Sequence, residues 1–347
     1  MDEFQKTEAR NYLTAAGLLL IGILQLASIL TGENQFNAEA VSMPCAIGGV
    51  ILIILSIILL GLHKRDLAAI SFIILGTAHI MTLFNTEDTY MILSLARAVT
   101  LVWGIILLFA KDPQKWIFAI LGILQGLIFI LRPYTGEMGP VRIIYLICLV
   151  LSIATALYFS LAAGFERIHL PGRNLITSDE TTDFKKSGPA IGFTVFGTLA
   201  LSYGLLYCSI PGYTLSAEAI QIMATGFGML LTLFGILLFA VGKMRFTPVM
   251  FILIGVSEMT ASFASGTMMY ATGALLIITG LFAIFRKESR LLPGLMLIFY
   301  GVTGFFSTIT GEIAGTPIDS AILNFIPAAI ALYLAVATLS QRKIPLF

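Results

Sequence analysis

The sequence predicts an all-α polytopic membrane protein, with twelve transmembrane helices arranged as two parallel six-helix repeats. Three observations predict this class: the composition, a succession of apolar runs and an internal repeat. Only 11% of the 347 residues are charged and 58% are hydrophobic, and the mean hydropathy is +0.97. A soluble chain carries roughly 25% charged residues, so this one has too few to cover a water-facing surface. The net charge of +1 would not attract nucleic acid, so we expect the lipid bilayer, and not DNA or RNA, as a partner.

Each predicted helix is an apolar run between short connectors that hold charges and turn residues. A helix needs about 20 apolar residues to cross a bilayer, and backbone groups in lipid must pair within their own segment. Twelve runs reach or approach that length. They cover residues 12–30, 45–62, 67–84, 91–110, 116–131 and 143–163 in the first half, and 189–207, 219–241, 249–265, 268–285, 291–307 and 320–340 in the second.

The lysines and arginines predict the orientation, since basic residues concentrate in cytoplasmic loops. Seventeen of the 20 lie in one alternate set of connectors, which includes both termini. The opposite set holds Arg132 and Arg142, and Arg97 lies within the fourth run. We therefore expect an integral protein of the plasma or inner membrane with both termini in the cytoplasm.

The second half of the chain repeats the first at an offset near 175 residues. Ala156-Leu157-Tyr158 recurs as Ala331-Leu332-Tyr333, and Thr135-Gly136-Glu137 recurs as Thr310-Gly311-Glu312. Six helices per copy is an even number, so both copies enter and leave on the same side, as parallel repeats. The predicted organisation is a first repeat at 1–163, a polar cytoplasmic linker at 164–188 and a second repeat at 189–347.

Three ionisable residues lie inside predicted spans, where such groups are costly and are functional candidates by default. They are His79 in the third run, Arg97 in the fourth and Glu258 in the ninth, at the position that matches His79. One hypothesis is that Arg97 and His79 face a pathway and attract an anion. The alternative is that Arg97 extends outward or pairs structurally, with Glu258 as one possible partner.

The predicted outer mouths hold further charges. Glu137 and Glu312 are the last residues of the repeated Thr-Gly-Glu segments. They are either the acidic residues of an outer turn, near the start of a short helical segment, or protonatable gates at the external mouth. Arg132 and Arg142 lie outside the first copy, whereas the outer side of the second has no basic residue. This asymmetry suggests that only the first copy attracts anions and that the second has become structural.

Sequence motifs for catalysis are missing. The three histidines are not spaced with cysteines or acids as a metal site, and no phosphate-binding loop, nucleophile elbow or dinucleotide fingerprint is present. We therefore expect no enzyme activity, no catalytic residue, no bound metal and no cofactor.

The second copy resembles the acetate uptake transporter family, also called the succinate–acetate permeases. The resemblance rests on five segments: Gly188-Pro189-Ala190-Ile191-Gly192-Phe193, Phe196-Gly197, the register of Phe234, Phe246, Phe251 and Gly255, Gly311-Glu312-Ile313-Ala314-Gly315, and Leu332-Tyr333-Leu334-Ala335. The first copy follows the pattern more weakly. The resemblance implies a channel-like carrier of small monocarboxylates with one pathway per six-helix unit. It also implies six-unit rings, which three of these duplicated chains would form.

The resemblance also implies where the pathway residues lie. The family places a Phe, a Tyr and a Leu at an apolar constriction and a Gln in the second helix. In the second copy these positions are Phe196, Ile254, Gly301 beside Tyr300, and Thr232; in the first they are Ile21, Leu75, Gly126 beside Gln125, and Ile54. An acid, Glu312 or Glu137, replaces the Asn of the fifth-helix signature.

These observations leave two functional hypotheses. The first is a channel or secondary transporter for a small monocarboxylate such as acetate, with proton coupling left open. The second is a diverged subunit or scaffold of the same fold that transports nothing. The changed polar positions favour the second, and the ionisable residues within the spans favour the first.

Overall fold

The fold comes from a computed structural model, which describes most of the chain. It describes residues 3–30, 38–62, 66–80, 90–131, 139–165, 170–177, 184–208, 217–240, 246–263, 266–285, 291–309 and 317–340. Within these ranges the side chains of 27–30, 38–42, 90–97, 129, 184–187, 207, 217–220, 222, 261–263, 266–269, 305–309 and 317–320 are outside the description.

The described residues form thirteen α-helices and no strand. They are α1 (Glu3–Leu30), α2 (Ala38–Leu62), α3 (Asp66–Ile80), α4 (Tyr90–Leu107), α5 (Lys115–Leu131), α6 (Gly139–Gly164), α7 (Arg173–Thr177), α8 (Phe184–Tyr207), α9 (Ala217–Ala240), α10 (Phe246–Phe263), α11 (Gly266–Phe285), α12 (Leu291–Ile309) and α13 (Pro317–Leu339). Twelve of them coincide with the twelve predicted runs, and the short α7 lies within the predicted linker. The prediction of an all-helical chain is confirmed.

Among the described residues, six helices contain stretches that are long and apolar enough, by length and composition, to cross a membrane. These stretches are Glu3–Leu26, Met43–Leu62, Gly139–Gly164, Gly188–Leu206, Met223–Ala240 and Ala321–Leu339. The described parts of the other six long helices form shorter apolar stretches of 10–17 residues. Most exposed side chains of α2 and α6 are themselves apolar, as with Ile47, Ile54, Ile147 and Val150, and Arg142 of α6 is an exception. Surfaces of this kind are stable against lipid and not against water.

Arg10 corrects one detail of the predicted topology. The sequence placed it in the polar N-terminal tail, because the first apolar run begins at residue 12. In the structure α1 begins at Glu3, so Arg10 lies within the helix and is 1% exposed. Its guanidinium Nη2 donates to the Thr7 hydroxyl, one turn earlier, at 2.6 Å.

The chain divides into two compact units, Met1–Asp183 (unit 1) and Phe184–Phe347 (unit 2). In unit 1 each of the helices α1 to α6 packs on the next, and α6 packs back on α1, which closes a six-helix ring. Consecutive helices of this ring are antiparallel. For example, Gly22 of α1 packs near Leu157 of α6, whereas Ala15, earlier in α1, packs near Gly164, later in α6. The helices α1, α3 and α5 therefore run in the same direction.

Unit 2 has the same ring of contacts, formed by α8 to α13. Close contacts at glycine recur in both units at positions 175 to 179 residues apart. The matching contacts are Gly17 with Phe72 and Gly192 with Phe251, Gly22 with Leu157 and Gly197 with Leu332, and Gly49 with Gly76 and Gly228 with Gly255. The two units thus pack their helices through corresponding residues.

Part of the predicted linker packs on unit 1. The Gln114 side-chain Nε2 donates to the carbonyl oxygen of Ile176 in α7 at 3.0 Å. The Tyr158 hydroxyl donates to the carbonyl oxygen of Pro171 at 2.7 Å. Ile176 is fully buried, and Gly172 adopts a φ of 76°, which favours glycine in the turn before α7. The segment 170–177 is therefore attached to unit 1.

Candidate functional site

Two contacts in the interior of unit 1 show which residues of α1, α3 and α5 lie at the same height along the helix axes. The ring of Phe72 in α3 occupies the space that a side chain at Gly17 of α1 would need. The same ring makes an edge-to-face contact with Phe118 of α5, with centroids 5.6 Å apart. Gly17, Phe72 and Phe118 therefore lie at one level, which serves as a reference for the residues beyond it.

Two helical turns further along, the same three helices present polar residues. Gln25 is eight residues beyond Gly17, His79 seven beyond Phe72, and Gln125 seven beyond Phe118. At 1.5 Å per residue they lie about 10–12 Å from the reference level. Seven residues make nearly two full turns, so His79 and Gln125 face the same way as the two rings. All three side chains are buried.

Contacts of α6 place a fourth polar residue, Ser152, at the same height. The Gln25 Nε2 donates to the Ser152 hydroxyl at 2.8 Å. On the neighbouring side of α6, Leu149 packs in a buried cluster with Ile128 of α5. Gln125 precedes Ile128 by three residues, and Ser152 follows Leu149 by three residues. Because α5 and α6 are antiparallel, Gln125 and Ser152 therefore lie at the same height. We call Gln25, His79, Gln125 and Ser152 the polar tier.

The amide of Gln125 is the unusual feature of the polar tier. The side chain is 1% exposed, and neither Nε2 nor Oε1 has a hydrogen-bond partner within the part of the chain that the structure describes. The Oε1 of Gln25 likewise has none among the described residues. A buried polar group left without a partner costs about 1–3 kcal/mol, and a water molecule or solute that bonded to these atoms would remove that cost.

Aromatic rings fill the corresponding interior of unit 2. Phe196 of α8 and Tyr300 of α12 meet edge to face, with centroids 4.8 Å apart. Ile254 of α10 is fully buried and lies one turn beyond Phe251, which packs on Gly192. Phe196 is likewise one turn beyond Gly192, so Phe196 and Ile254 share one level. The structure thus groups three of the predicted pathway residues, Phe196, Ile254 and Tyr300.

Glu258 of unit 2 has a partner that the sequence did not indicate. The Tyr203 hydroxyl of α8 donates to its Oε2 at 2.8 Å, and Glu258 is buried. The sequence suggested Arg97 as a possible partner; the side chain of Arg97 is outside the described residues.

No protein-family model, curated protein or solved structure matches this chain. Conclusions about function therefore rest on the residues and their geometry.

The remaining predicted site residues fall in different places. Ile21 is fully buried in α1, one turn beyond Gly17. Thr232 lies in the α9–α10 contact, where its hydroxyl donates to the Gly228 carbonyl oxygen at 2.8 Å. Arg142 is on the exposed first turn of α6. Glu137, Glu312 and Arg132 lie outside the described residues.

The contacts also correct the proposed counterpart of Thr232 in unit 1. The sequence alignment of the two copies paired it with Ile54, which is 51% exposed. Thr232 packs at Gly255, and the residue that packs at the corresponding Gly76 is Ile53, 3.1 Å from the position of an added Cβ. Ile53 is therefore the structural counterpart.

Sequence reasoning missed Gln25, Ser152 and Tyr203. Gln25 and Ser152 are uncharged and single within apolar helices, so they were not separated from ordinary packing residues. A search for amides and hydroxyls about two turns from Gly17 and Phe118 would have found Gln25 and Gln125 together. Tyr203 directly follows Ser202 in α8 and shows no pattern that would indicate its contact with Glu258.

The Tyr203–Glu258 hydrogen bond leads to a stability prediction. Tyr203→Phe removes a donor from a buried carboxyl group, so the free energy of unfolding in detergent should fall by about 1–3 kcal/mol. Tyr145→Phe is the matched control, because its ring packs beside the Ile128 cluster and should change stability by less than about 0.5 kcal/mol.

A double-mutant cycle with Glu258→Leu assigns that loss to the pair. If Tyr203→Phe destabilises the wild type and the Glu258→Leu background equally, the hydrogen bond does not contribute. Thermal unfolding of the four purified proteins is the measurement.

Proposed function

We propose that this protein is a membrane channel or secondary transporter for a small monocarboxylate such as acetate. The single observation that supports it most is the polar tier of unit 1. Two buried amides, a hydroxyl and an imidazole there lie at one height inside a ring of helices with an apolar exterior. Polar groups inside membrane helices face pathways or one another. Amide atoms without partners among the described residues are suited to a solute that has hydrogen-bonding groups of its own.

The proposal includes twelve membrane-spanning helices in two parallel repeats with both termini in the cytoplasm. The corresponding glycine contacts of the two units support a duplication, because several helix contacts would not recur at offsets of 175 to 179 residues by chance. The distribution of lysines and arginines supports the orientation. The resemblance to the acetate uptake transporters extends the proposal to trimers of the chain, in which six units form a ring.

The two units are proposed to differ in function. In unit 2 the rings of Phe196 and Tyr300 meet at 4.8 Å where unit 1 has Ile21 and Gln125. Aromatic packing of this kind fills an interior, whereas the Ile and Gln side chains of unit 1 have less volume than a Phe and a Tyr. We therefore assign the solute pathway to unit 1. We assign a scaffold role to unit 2, which is the role that the second hypothesis gave to the whole chain.

Uptake of labelled acetate into proteoliposomes, with and without a pH gradient, tests the function. The wild-type protein should give uptake above that of protein-free vesicles. Gln25→Leu should lower the initial rate about tenfold, because one lost hydrogen bond to the solute is worth about 1–1.5 kcal/mol.

Ser160→Ala is the control for this variant. The Ser160 hydroxyl also joins α6 to α1, through the Ala15 carbonyl oxygen at 2.7 Å, but it lies two turns from Ser152 and outside the tier. Its variant should transport like the wild type. Wild-type uptake no faster than in protein-free vesicles would reject the proposed function, and equal losses in both variants would reject the site.

A further inference from the structure

Gln125 offers a donor and an acceptor on one planar group. Its Nε2 carries two N–H donors and its Oε1 accepts. Neither atom has a protein partner within the described part of the chain, and the side chain is 1% exposed. A ligand that satisfies both atoms must itself present an acceptor beside a donor, with the same spacing as the amide.

The two forms of a carboxylic acid differ in this respect. An ionised carboxylate only accepts hydrogen bonds, whereas the protonated form has one O–H donor beside a carbonyl acceptor. The neutral acid can therefore accept from Nε2 and donate to Oε1 of Gln125 at once. A carboxylate would satisfy Nε2 but would place a negative oxygen against Oε1. It would also need a charge partner, because an isolated ion is costly in a medium of low dielectric constant.

The groups around Gln125 are mostly neutral. The residues level with Gln125 are Gln25 on α1, Ser152 on α6 and the titratable His79 on α3. Cys148 lies one turn along α6 in the cluster with Ile128 and Leu149, with Tyr145 packed against that cluster. On α4, Gly104 and Leu101 pack on Gly122 and Gly126 of α5, which places the backbone of Arg97 about 7 Å beyond the level of Gln125. Of the charged side chains that the structure describes on these helices, none belongs to the tier.

We propose that the polar tier binds the undissociated form of a small carboxylic acid through paired hydrogen bonds to Gln125, and that it accepts a small primary amide equally well. The inference rests on the proposed function and specifies the chemical form of the substrate. A primary amide matches the pattern because it also has an acceptor beside a donor, and it does not ionise. Acetamide therefore separates hydrogen-bond recognition from charge recognition.

The test compares labelled acetate and labelled acetamide in proteoliposomes that hold the wild-type protein, after subtraction of the flux into protein-free vesicles. At fixed total acetate, the acetate rate should rise about tenfold for each unit by which the pH falls, as long as the pH stays above the pKa of the acid. The acetamide rate should stay constant over the same range. Unlabelled acetamide should inhibit acetate uptake.

Gln125→Leu has nearly the same shape and lacks both polar atoms, so it should lose at least about tenfold in the rate for each solute. Gln125→Asn keeps the amide and should recover part of both rates. Thermal unfolding confirms that each variant is folded. If Gln125→Leu does not fold, the inhibition of the wild type by acetamide decides the question.

Two results would overturn the inference while the proposed function stands. The first is an acetate uptake rate that depends on the total acetate concentration and not on the pH. The second is that acetamide neither inhibits acetate uptake nor is itself taken up. A wild-type protein that moves neither solute faster than protein-free vesicles rejects the proposed function itself. The two failures are thus distinguishable.

Discussion

Placing the aromatic pair of unit 2 into unit 1, by the double substitution Ile21→Phe and Gln125→Tyr, should abolish acetate uptake. Ile21 and Gln125 lie at the positions of unit 1 that correspond to Phe196 and Tyr300 of unit 2. There the two rings meet with centroids 4.8 Å apart. The same rings in unit 1 should fill its interior and remove the amide of the polar tier.

The reciprocal substitution, Phe196→Ile with Tyr300→Gln, should leave uptake unchanged or increase it. It gives unit 2 the residue pair of unit 1 and does not alter the polar tier. Initial rates of labelled acetate uptake at equal protein content are the measurement. A rate that falls equally in both double variants would show that both units conduct, and would contradict the division of function between them.

Folding must be controlled in the first variant, because adding volume to a packed interior costs about 1–3 kcal/mol. Thermal unfolding and elution as a single species in detergent show whether the protein is intact. The single variant Ile21→Phe enlarges the site without removing Gln125. If it keeps uptake while the double variant loses it, the loss follows from the second ring and the missing amide.

The helices could be predicted from the sequence because lipid leaves the backbone few alternatives. Once a run is apolar and too poor in charge for water, its backbone groups must pair locally, and the helix follows. For this reason 291–307 and 268–285 agree closely with α12 and α11. The start of α1 was misplaced because a polar first turn can continue a helix beyond its apolar run, which is how Arg10 came to lie within it.

The site could be predicted only in part. Gln125, His79 and Glu258 stand out because amides and ionisable groups are rare in apolar helices. The partnership of Gln25 with Ser152 could not be predicted, since 127 residues separate them and the sequence does not show which helix the Gln25 amide faces. It depends on how α1 and α6 align along their axes. That alignment is set by glycine contacts such as Gly22 with Leu157. These residues are apolar like most of the helix residues around them, so the sequence does not mark them as contact positions.

Those glycine contacts lead to the largest expected effect on stability. Gly255→Ala should destabilise the protein by about 1–3 kcal/mol or more, because the backbones of α9 and α10 meet at this point. An added Cβ would lie 2.8 Å from the backbone nitrogen of Thr232 and would also reach the Gly228 carbonyl oxygen. Neither is a flexible side chain that could turn away, so the two helices would have to separate.

Gly61→Ala is the matched control, since Gly61 is also a helical glycine and an added Cβ there meets nothing within 4 Å. Alanine is favoured over glycine in a helix by about 1 kcal/mol, so this variant should be as stable as the wild type or more so. The two substitutions make the same chemical change, but Gly255→Ala should lower the thermal unfolding midpoint, whereas Gly61→Ala should leave it unchanged or raise it. A midpoint for Gly255→Ala at or above that of the wild type would mean that α9 and α10 are not held in close backbone contact. Corresponding behaviour of Gly76→Ala in unit 1, where an added Cβ would lie 2.6 Å from the Gly49 carbonyl oxygen, would show that both units use this contact.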